Sequence, residues 1–92
     1  MEKIVVVFDV KGMFPDQYAQ VMKDLEQSGQ GMPDGRCNHF ASDQADGMVV
    51  VDVWESQAKL ERFAGSLFPI LVKHGVQPPA PRIHPYRSQV DA

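Results

Sequence analysis

The sequence "MVVVDVW" at residues 48–54 places the strongest restriction on how this chain can fold. Side chains of a strand alternate between the two faces of a sheet, so a strand with one solvated face alternates apolar and polar residues. Here Val49, Val50, Val51 and Val53 put aliphatic groups on both faces. The run therefore predicts a strand that is covered on both sides.

Length, composition and charge narrow the class of protein. Ninety-two residues suit one domain, 1–92, and 43% hydrophobic with 23% charged residues is ordinary for a globular chain. A net charge of -3 gives no basic surface for a nucleic-acid backbone. The first apolar run is soon interrupted by Asp9 and Lys11, too short for a signal peptide or membrane span. We expect a cytoplasmic protein that binds neither nucleic acid nor membranes.

The first half of the chain predicts a strand, a helix and a second strand. Residues 3–10 are β-branched or aromatic almost without a break. Pro15 suits the first turn of a helix and Gly29 its end. The apolar stripe of that helix is formed by Tyr18, Val21, Met22 and Leu25. Residues 36–42 predict a short second strand, in which Cys37 is expected to be partly buried.

The second half predicts a hairpin, a helix and a last strand. Residues 43–47 read as the connection to the third strand, 48–54. Ser56 is expected to cap the second helix, and Pro69 to kink or restart it. Its apolar face is formed by Ala58, Leu60, Phe63, Ala64, Leu67 and Leu71. A last strand at 82–87 contains Pro85 and is therefore expected at a sheet edge.

The order of these elements predicts an α+β fold, a ferredoxin-like βαββαβ antiparallel sheet with both helices on one face. Two helices cover only that face. The other would expose an apolar patch on the order of several hundred Å², which monomers rarely tolerate. We therefore expect a homodimer that pairs sheet against sheet.

Five segments extend over nearly the whole chain: "DVKG", "NHFAS", "VVDVWES", "ERF…LFPIL…HGV" and "PPAPRIHP". They resemble the dimeric α+β-barrel superfamily grouped around the antibiotic biosynthesis monooxygenases, and the resemblance implies that two subunits form a dimeric α+β barrel. The closest likeness is to a bacterial subgroup with no assigned reaction. The resemblance implies a ligand between helices and sheet, as in cofactor-independent oxygenases of phenolic polyketides, quinol oxygenases and haem-degrading enzymes.

The resemblance argues against haem degradation. Haem degraders carry an asparagine on the first strand and a tryptophan and a histidine on the second long helix. The matching positions here hold Val6 or a neighbour on the strand, Phe63, and the pair Lys73 and His74. His74, beside Gly75, is expected instead at a helix end, where the helix dipole stabilises a cation.

Candidate catalytic residues are His39 and Asp52. An imidazole titrates near neutral pH and suits a pocket base, although a strand histidine bonded to backbone or water is the simpler interpretation. A buried Asp52 or Asp9 suits the same role; the simpler interpretation places both at strand ends, bonded to Lys, Arg or water. The candidate ligand pocket comprises Val6, Phe8, Trp54, Phe63, Leu67 and His84. Trp54, Phe63 and Phe8 are also interpretable as core alone.

No histidine spacing predicts a metal site, and no cofactor is predicted. One hypothesis is a cofactor-independent monooxygenase acting on a small aromatic or phenolic compound. The alternative is a non-catalytic small-molecule-binding or stress-associated barrel dimer. The volume of the cavity beneath Phe63 and Leu67 discriminates between them, because an enzyme site needs roughly 300 Å³ or more with a titratable group.

Overall fold

A computed structural model of the chain describes residues 2–91 and consists of one antiparallel sheet and two helices. The strands are β1 (Ile4–Lys11), β2 (Arg36–Gln44), β3 (Gly47–Trp54) and β4 (Arg82–Pro85). The helices are α1 (Pro15–Gln27) and α2 (Gln57–Lys73). The strand order β2-β3-β1-β4 confirms the predicted ferredoxin-like βαββαβ fold and the edge position of the last strand.

The ends of α1 follow from local chemistry. The backbone N–H of Phe14 donates to Oε1 of Gln17 at 2.9 Å, which satisfies an N–H group at the start of the helix. Pro15 follows in the first turn, where its missing N–H costs nothing. Gly29, at a φ of 81°, then turns the chain away.

Helix α2 begins as predicted and continues through its proline. The Ser56 hydroxyl accepts the backbone N–H of Lys59 at 3.3 Å. The alternative that Pro69 restarts the helix is wrong, because α2 is one continuous helix to Lys73. Proline removes one backbone hydrogen bond, and the residues buried on both sides of it, Leu60, Phe63 and Leu71, hold the two turns against the core.

The β2–β3 hairpin is tighter than the sequence suggested. Gln44 pairs with Gly47, so the turn comprises only Ala45 and Asp46. A side chain at Gly47 would overlap the carbonyl oxygen of Val10 on β1. Glycine at this position therefore allows the close approach of the hairpin to β1. Cys37 is exposed, contrary to the expected partial burial, because it lies at the irregular start of β2 on the sheet edge.

The sheet has two faces that differ in cover. The helix face carries the buried side chains of β1 and β3, namely Val6, Phe8, Val10, Met48, Val50, Asp52 and Trp54, and packs against α1 and α2. The open face carries the alternate residues Val5, Val7, Val49, Val51 and Val53 with Phe40 of β2, and of these Val53 alone is buried, at 8% exposure. Phe40 is 61% exposed. Strand β3 is thus apolar on both faces, as predicted, and this chain covers one of them.

The shorter last strand is a further difference from the prediction. β4 ends at Pro85 rather than residue 87, after which Tyr86 N–H still donates to the carbonyl of Lys3 at 3.2 Å. Within residues 2–91, neither helix combines the length and apolar character that a bilayer span requires.

Candidate active site

Four side chains on the helix face form a continuous hydrogen-bonded chain. The Tyr18 hydroxyl lies 2.8 Å from Nε2 of His39, whose Nδ1 lies 2.7 Å from Oδ1 of Asp52. The indole Nε1–H of Trp54 donates to Oδ2 of Asp52 at 3.1 Å. These hydrogen bonds link α1, β2 and β3, and we call the four side chains the Tyr18–Trp54 relay.

The register of the β2–β3 hairpin brings the relay together. The two-residue turn places His39 directly opposite Asp52. Trp54 follows Asp52 by two residues and therefore points to the same face of the sheet. Tyr18 belongs to the inward stripe of α1, which brings its hydroxyl over β2.

The hydrogen-bond partners assign a role to each ring nitrogen of His39. The Trp54 indole can only donate, so Asp52 accepts there through Oδ2. Asp52 also accepts from the Nδ1–H of His39, which leaves Nε2 of the neutral ring to accept the Tyr18 O–H. Both ring nitrogens of His39 are therefore engaged, and Tyr18 is the terminal member of the relay on the side of α1.

Burial affects Asp52 and Tyr18 in different ways. Asp52 is 3% exposed, and both of its oxygens are bonded, which offsets the cost of removing a carboxylate from water. Burial raises the pKa of the Tyr18 phenol; the charge of Arg36 opposes that shift and the charge of Asp52 adds to it. Tyr18 is therefore a neutral donor to His39 at neutral pH.

Arg36 adds a positive charge to the same region. It is half-buried at the start of β2, and its Nη2 donates to the carbonyl of Gly31 at 3.2 Å. Its guanidinium carbon lies 5.9 Å from the centre of the Phe63 ring, within the range of a cation–π contact. The bond to Gly31 connects Arg36 to the loop that joins α1 to β2.

A small cavity lies between the helices and the sheet at the relay. Its volume is about 50 Å³. Polar side chains of Tyr18, Arg36, His39 and Asp52 reach it. The rest of its wall is apolar: Phe8, Val10, Met13, Val21, Met22, Leu25, Val50, Phe63, Leu67, Leu71 and Pro79.

Comparison with known proteins identifies the fold. SnoaB, a cofactor-independent oxygenase from Streptomyces nogalater, matches over 100% of both chains at 14% identity with a TM-score of 0.67. A structure from Deinococcus radiodurans, named as a candidate antibiotic biosynthesis monooxygenase, matches 100% of this chain and 98% of its own at 11% identity and a TM-score of 0.58. The chain has the antibiotic biosynthesis monooxygenase-like fold.

A further structural comparison agrees with that fold. Rv0793 from Mycobacterium tuberculosis matches 97% of each chain at 16% identity and a TM-score of 0.54. No protein-family model and no curated protein matches the sequence. Since a monooxygenase-like fold hosts different activities, the chemistry has to come from the residues of the site.

The predicted site residues divide into three groups within this fold. Five line the cavity: Phe8, His39, Asp52, Phe63 and Leu67. Val6 and Trp54 are fully buried outside its lining, and Trp54 packs against Phe63 with ring centres 5.3 Å apart. His84 pairs with Val5 and is exposed on the open face, so the structure does not bring it to the cavity.

The simpler interpretations of the polar residues are wrong for the relay. Asp52 lies in the buried part of β3 and is bonded to His39 and Trp54 rather than to Lys or Arg, because its register places it beneath the helices. His39 likewise bonds two side chains. Asp9 is exposed and accepts from Gln44 at 2.7 Å. His74 does end α2, and its Nε2 also contacts Asp24 at 2.7 Å.

Sequence reasoning missed Tyr18 and Arg36 as site residues. Tyr18 was assigned to the core because it fits the apolar stripe of α1. A signal was available, since a buried tyrosine hydroxyl needs a partner and His39 lies on an adjacent element. Arg36 carried no such signal, because its position relative to the cavity depends on the loop before β2. Within residues 2–91, no group of three His, Cys, Asp or Glu side chains is placed to hold a metal ion.

Proposed function

We propose that the protein is a cofactor-independent, monooxygenase-like enzyme that acts on a small aromatic or phenolic compound. The observation that carries the proposal is the Tyr18–His39–Asp52 series of hydrogen bonds that ends at the cavity. Such a series transfers a proton from a bound ligand to an imidazole that is oriented by a carboxylate. The similarity in fold to a cofactor-independent oxygenase supports the same reaction class.

The relay supplies a proton acceptor in two coupled transfers. A ligand O–H or acidic C–H gives its proton to the Tyr18 oxygen as the Tyr18 proton passes to Nε2 of His39. The resulting imidazolium is stabilised by Asp52 at 2.7 Å, and Trp54 holds the other carboxylate oxygen. Proton transfer of this kind contributes roughly 10²–10⁴-fold to a rate.

Oxygen chemistry then needs electrons from the substrate alone. An activated CH₂ group that loses a proton becomes a carbanion, which combines with O₂ and a proton to give a hydroperoxide. Loss of water from the hydroperoxide leaves a carbonyl at the same carbon. One O₂ thus yields one carbonyl oxygen and one water, and the substrate supplies all the electrons.

The cavity volume restricts how a substrate enters. About 50 Å³ holds a molecule the size of O₂ or water, whereas a cavity of about 150 Å³ is needed for benzene. An aromatic substrate therefore requires the helices or the α1–β2 loop to move. Gly29 and Gly35, both at positive φ, flank that loop and suit such a movement.

The same volume favours the alternative function. A non-catalytic small-molecule-binding or stress-associated dimer needs no cavity of enzyme size, and its polar relay would stabilise the fold alone.

In either case we place the protein in the cytoplasm as a homodimer formed through the open face. Support for the dimer comes from the apolar side chains that lie there, including Phe40.

Oxygen uptake with electron-rich phenols and hydroquinones tests the enzyme against the alternative. The assay uses protein treated with a chelator and no added flavin. Wild type should consume O₂ in a substrate-dependent way, and His39→Ala should lose about 100-fold or more of that rate with fold and mass unchanged. His84→Ala is the matched control and should keep the wild-type rate. Equal rates in wild type and His39→Ala would show that His39 is not the proton acceptor and would make Asp52 the next candidate. No oxygen uptake by the wild type would favour the non-catalytic binding protein.

A further inference from the structure

Arg36 is a half-buried cation that lines the cavity and has no acidic partner in the part of the chain from residue 2 to residue 91. No carboxylate oxygen there lies within 4.0 Å of its guanidinium nitrogens. Arg62, by contrast, is on the surface and forms an ion pair with Asp34 at 3.9 Å. A partly buried charge is costly without a counter-charge, so Arg36 is an unexplained feature of the site.

The donors of Arg36 are mostly uncommitted. Nη2 donates to the Gly31 carbonyl, which fixes the direction of the side chain. A guanidinium has further N–H groups in a planar fork, which matches the two oxygens of a carboxylate. The guanidinium carbon lies 5.9 Å from the centre of the Phe63 ring, so the cation is next to an aromatic part of the cavity wall.

The carboxylate that lines the cavity, Asp52, is already engaged. Asp52 directs one oxygen to His39 and the other to Trp54. The cavity therefore holds a proton relay at one place and a free cation at another. A ligand that satisfies both needs an acidic O–H or C–H and an anionic group on the same small ring system.

We propose that the ligand of this cavity is an aromatic carboxylic acid, whose carboxylate binds Arg36 while its phenolic group faces Tyr18. The inference rests on the proposed function only in placing the ligand in this cavity, and it adds the substrate class. Arg36 is then a specificity-determining residue. The charge-assisted bond of a carboxylate to Arg36 is stronger than a bond from the neutral Gly31 carbonyl, so binding of the acid competes with the contact that fastens the loop.

A matched pair of probes tests the charge requirement by isothermal titration calorimetry. 4-Hydroxybenzoate and 4-hydroxybenzamide share the phenol and differ in the charge of the second group. Wild type should bind the acid at least tenfold more tightly than the amide. Arg36→Gln should bind both equally, and Arg36→Lys should keep part of the preference because the charge remains but the planar fork is lost. Arg87→Gln, an exposed arginine in the C-terminal segment, is the control and should behave as wild type.

The outcomes separate this inference from the proposed function. Equal binding of acid and amide by wild type, binding of neither probe, or an unchanged preference in folded Arg36→Gln would overturn the inference. Turnover of neutral phenols with no preference for the acid would leave the oxygenase standing without this substrate class. A tenfold preference that depends on Arg36, with no oxygen uptake on any phenolic acid, would support the acid-binding site and reject the oxygenase. Circular dichroism of each variant confirms that binding is compared between folded proteins.

Discussion

The helix face and the open face of the sheet are built from alternate residues of the same strands, and they differ in how far the rest of the chain covers them. On the helix face, Asp52 and Trp54 have their polar atoms paired, and within residues 2–91 no buried side-chain nitrogen or oxygen lacks a partner. On the open face, Val51 and Phe40 remain partly or largely exposed. The first face is an apolar core in which the fully buried polar atoms are paired, whereas the second is an apolar surface suited to another protein surface.

That difference separates two roles that β3 performs at once. Val50 and Asp52 point to the helices and serve the fold and the site, while Val49 and Val51 point away from them. A change on one face should therefore affect folding, and the same change one residue away should affect assembly. The following predictions, from the largest effect to the smallest, test this separation.

The largest effect should come from a charge placed on either face of β3. Val50→Asp would bury an unpaired carboxylate among the core side chains, and we expect a loss above about 4 kcal/mol in the free energy of unfolding. Val51→Asp would place the same charge on the open face, where we expect the dimer to dissociate into a folded monomer. Chemical denaturation and sedimentation at micromolar concentration measure the two effects. A Val51→Asp protein with wild-type mass and melting temperature would contradict the proposed interface.

Trp54→Ala should be the next most destabilising change. The side chain is fully buried, packs against Phe63 and donates to Asp52. Its removal leaves a cavity and an unpaired carboxylate oxygen, so we expect a loss of about 3–5 kcal/mol. Trp54→Phe, which removes the donor and keeps most of the volume, is the control and should cost less. A loss below about 1 kcal/mol in Trp54→Ala would place the indole in a wet site.

The sequence predicted the fold well because the fold depends on patterns that can be recognised even when the ends of an element are placed one or two residues wrongly. The apolar stripe of α1, the cap at Ser56 and the strand rich in valine each specify an element whatever its exact ends. The covered and uncovered faces also followed, since strand alternation is fixed once β3 is assigned. These features need no knowledge of which residue lies opposite which.

The candidate site depended on register, and there an error of one residue matters. The predicted connection at 43–47 would place His39 opposite Val51, whereas the two-residue turn places it opposite Asp52. A shift of one residue moves a side chain to the other face, so the relay could not be recognised from the predicted hairpin. The polar residues Asp43 and Gln44 suggested a turn, but they form the last two positions of β2.

Tyr18→Phe should have a modest effect on stability and a large one on catalysis. It removes the hydroxyl that meets Nε2 of His39 at 2.8 Å, and a lost hydrogen bond of this kind costs about 0.5–1.5 kcal/mol. If Tyr18 connects the ligand to His39, oxygen uptake should fall about 100-fold or more. Denaturation and an oxygen electrode give the two numbers. Full activity in Tyr18→Phe would mean that His39 meets the ligand directly.

The smallest expected effect lies in the helix layer, at the link between α1 and α2. Asp24 accepts from Nε2 of His74 at 2.7 Å and from Nζ of Lys73 at 3.0 Å, and these two bonds, that of His74 first, lower the pKa of the Asp24 carboxyl below its usual 3.8. A carboxyl whose pKa is lower in the folded state stabilises the fold above the unfolded pKa and loses that contribution as the pH falls through the folded pKa. Asp24→Asn should therefore melt below wild type at about pH 7, and the gap should narrow as the pH falls below 3.8 and through the lowered pKa of the folded state. Asp43→Asn, at an exposed carboxylate of β2, is the control and should show no such convergence. A difference in melting temperature between Asp24→Asn and wild type that stays constant down to about pH 2 would mean that the charge of Asp24 does not stabilise the packing of α1 against α2.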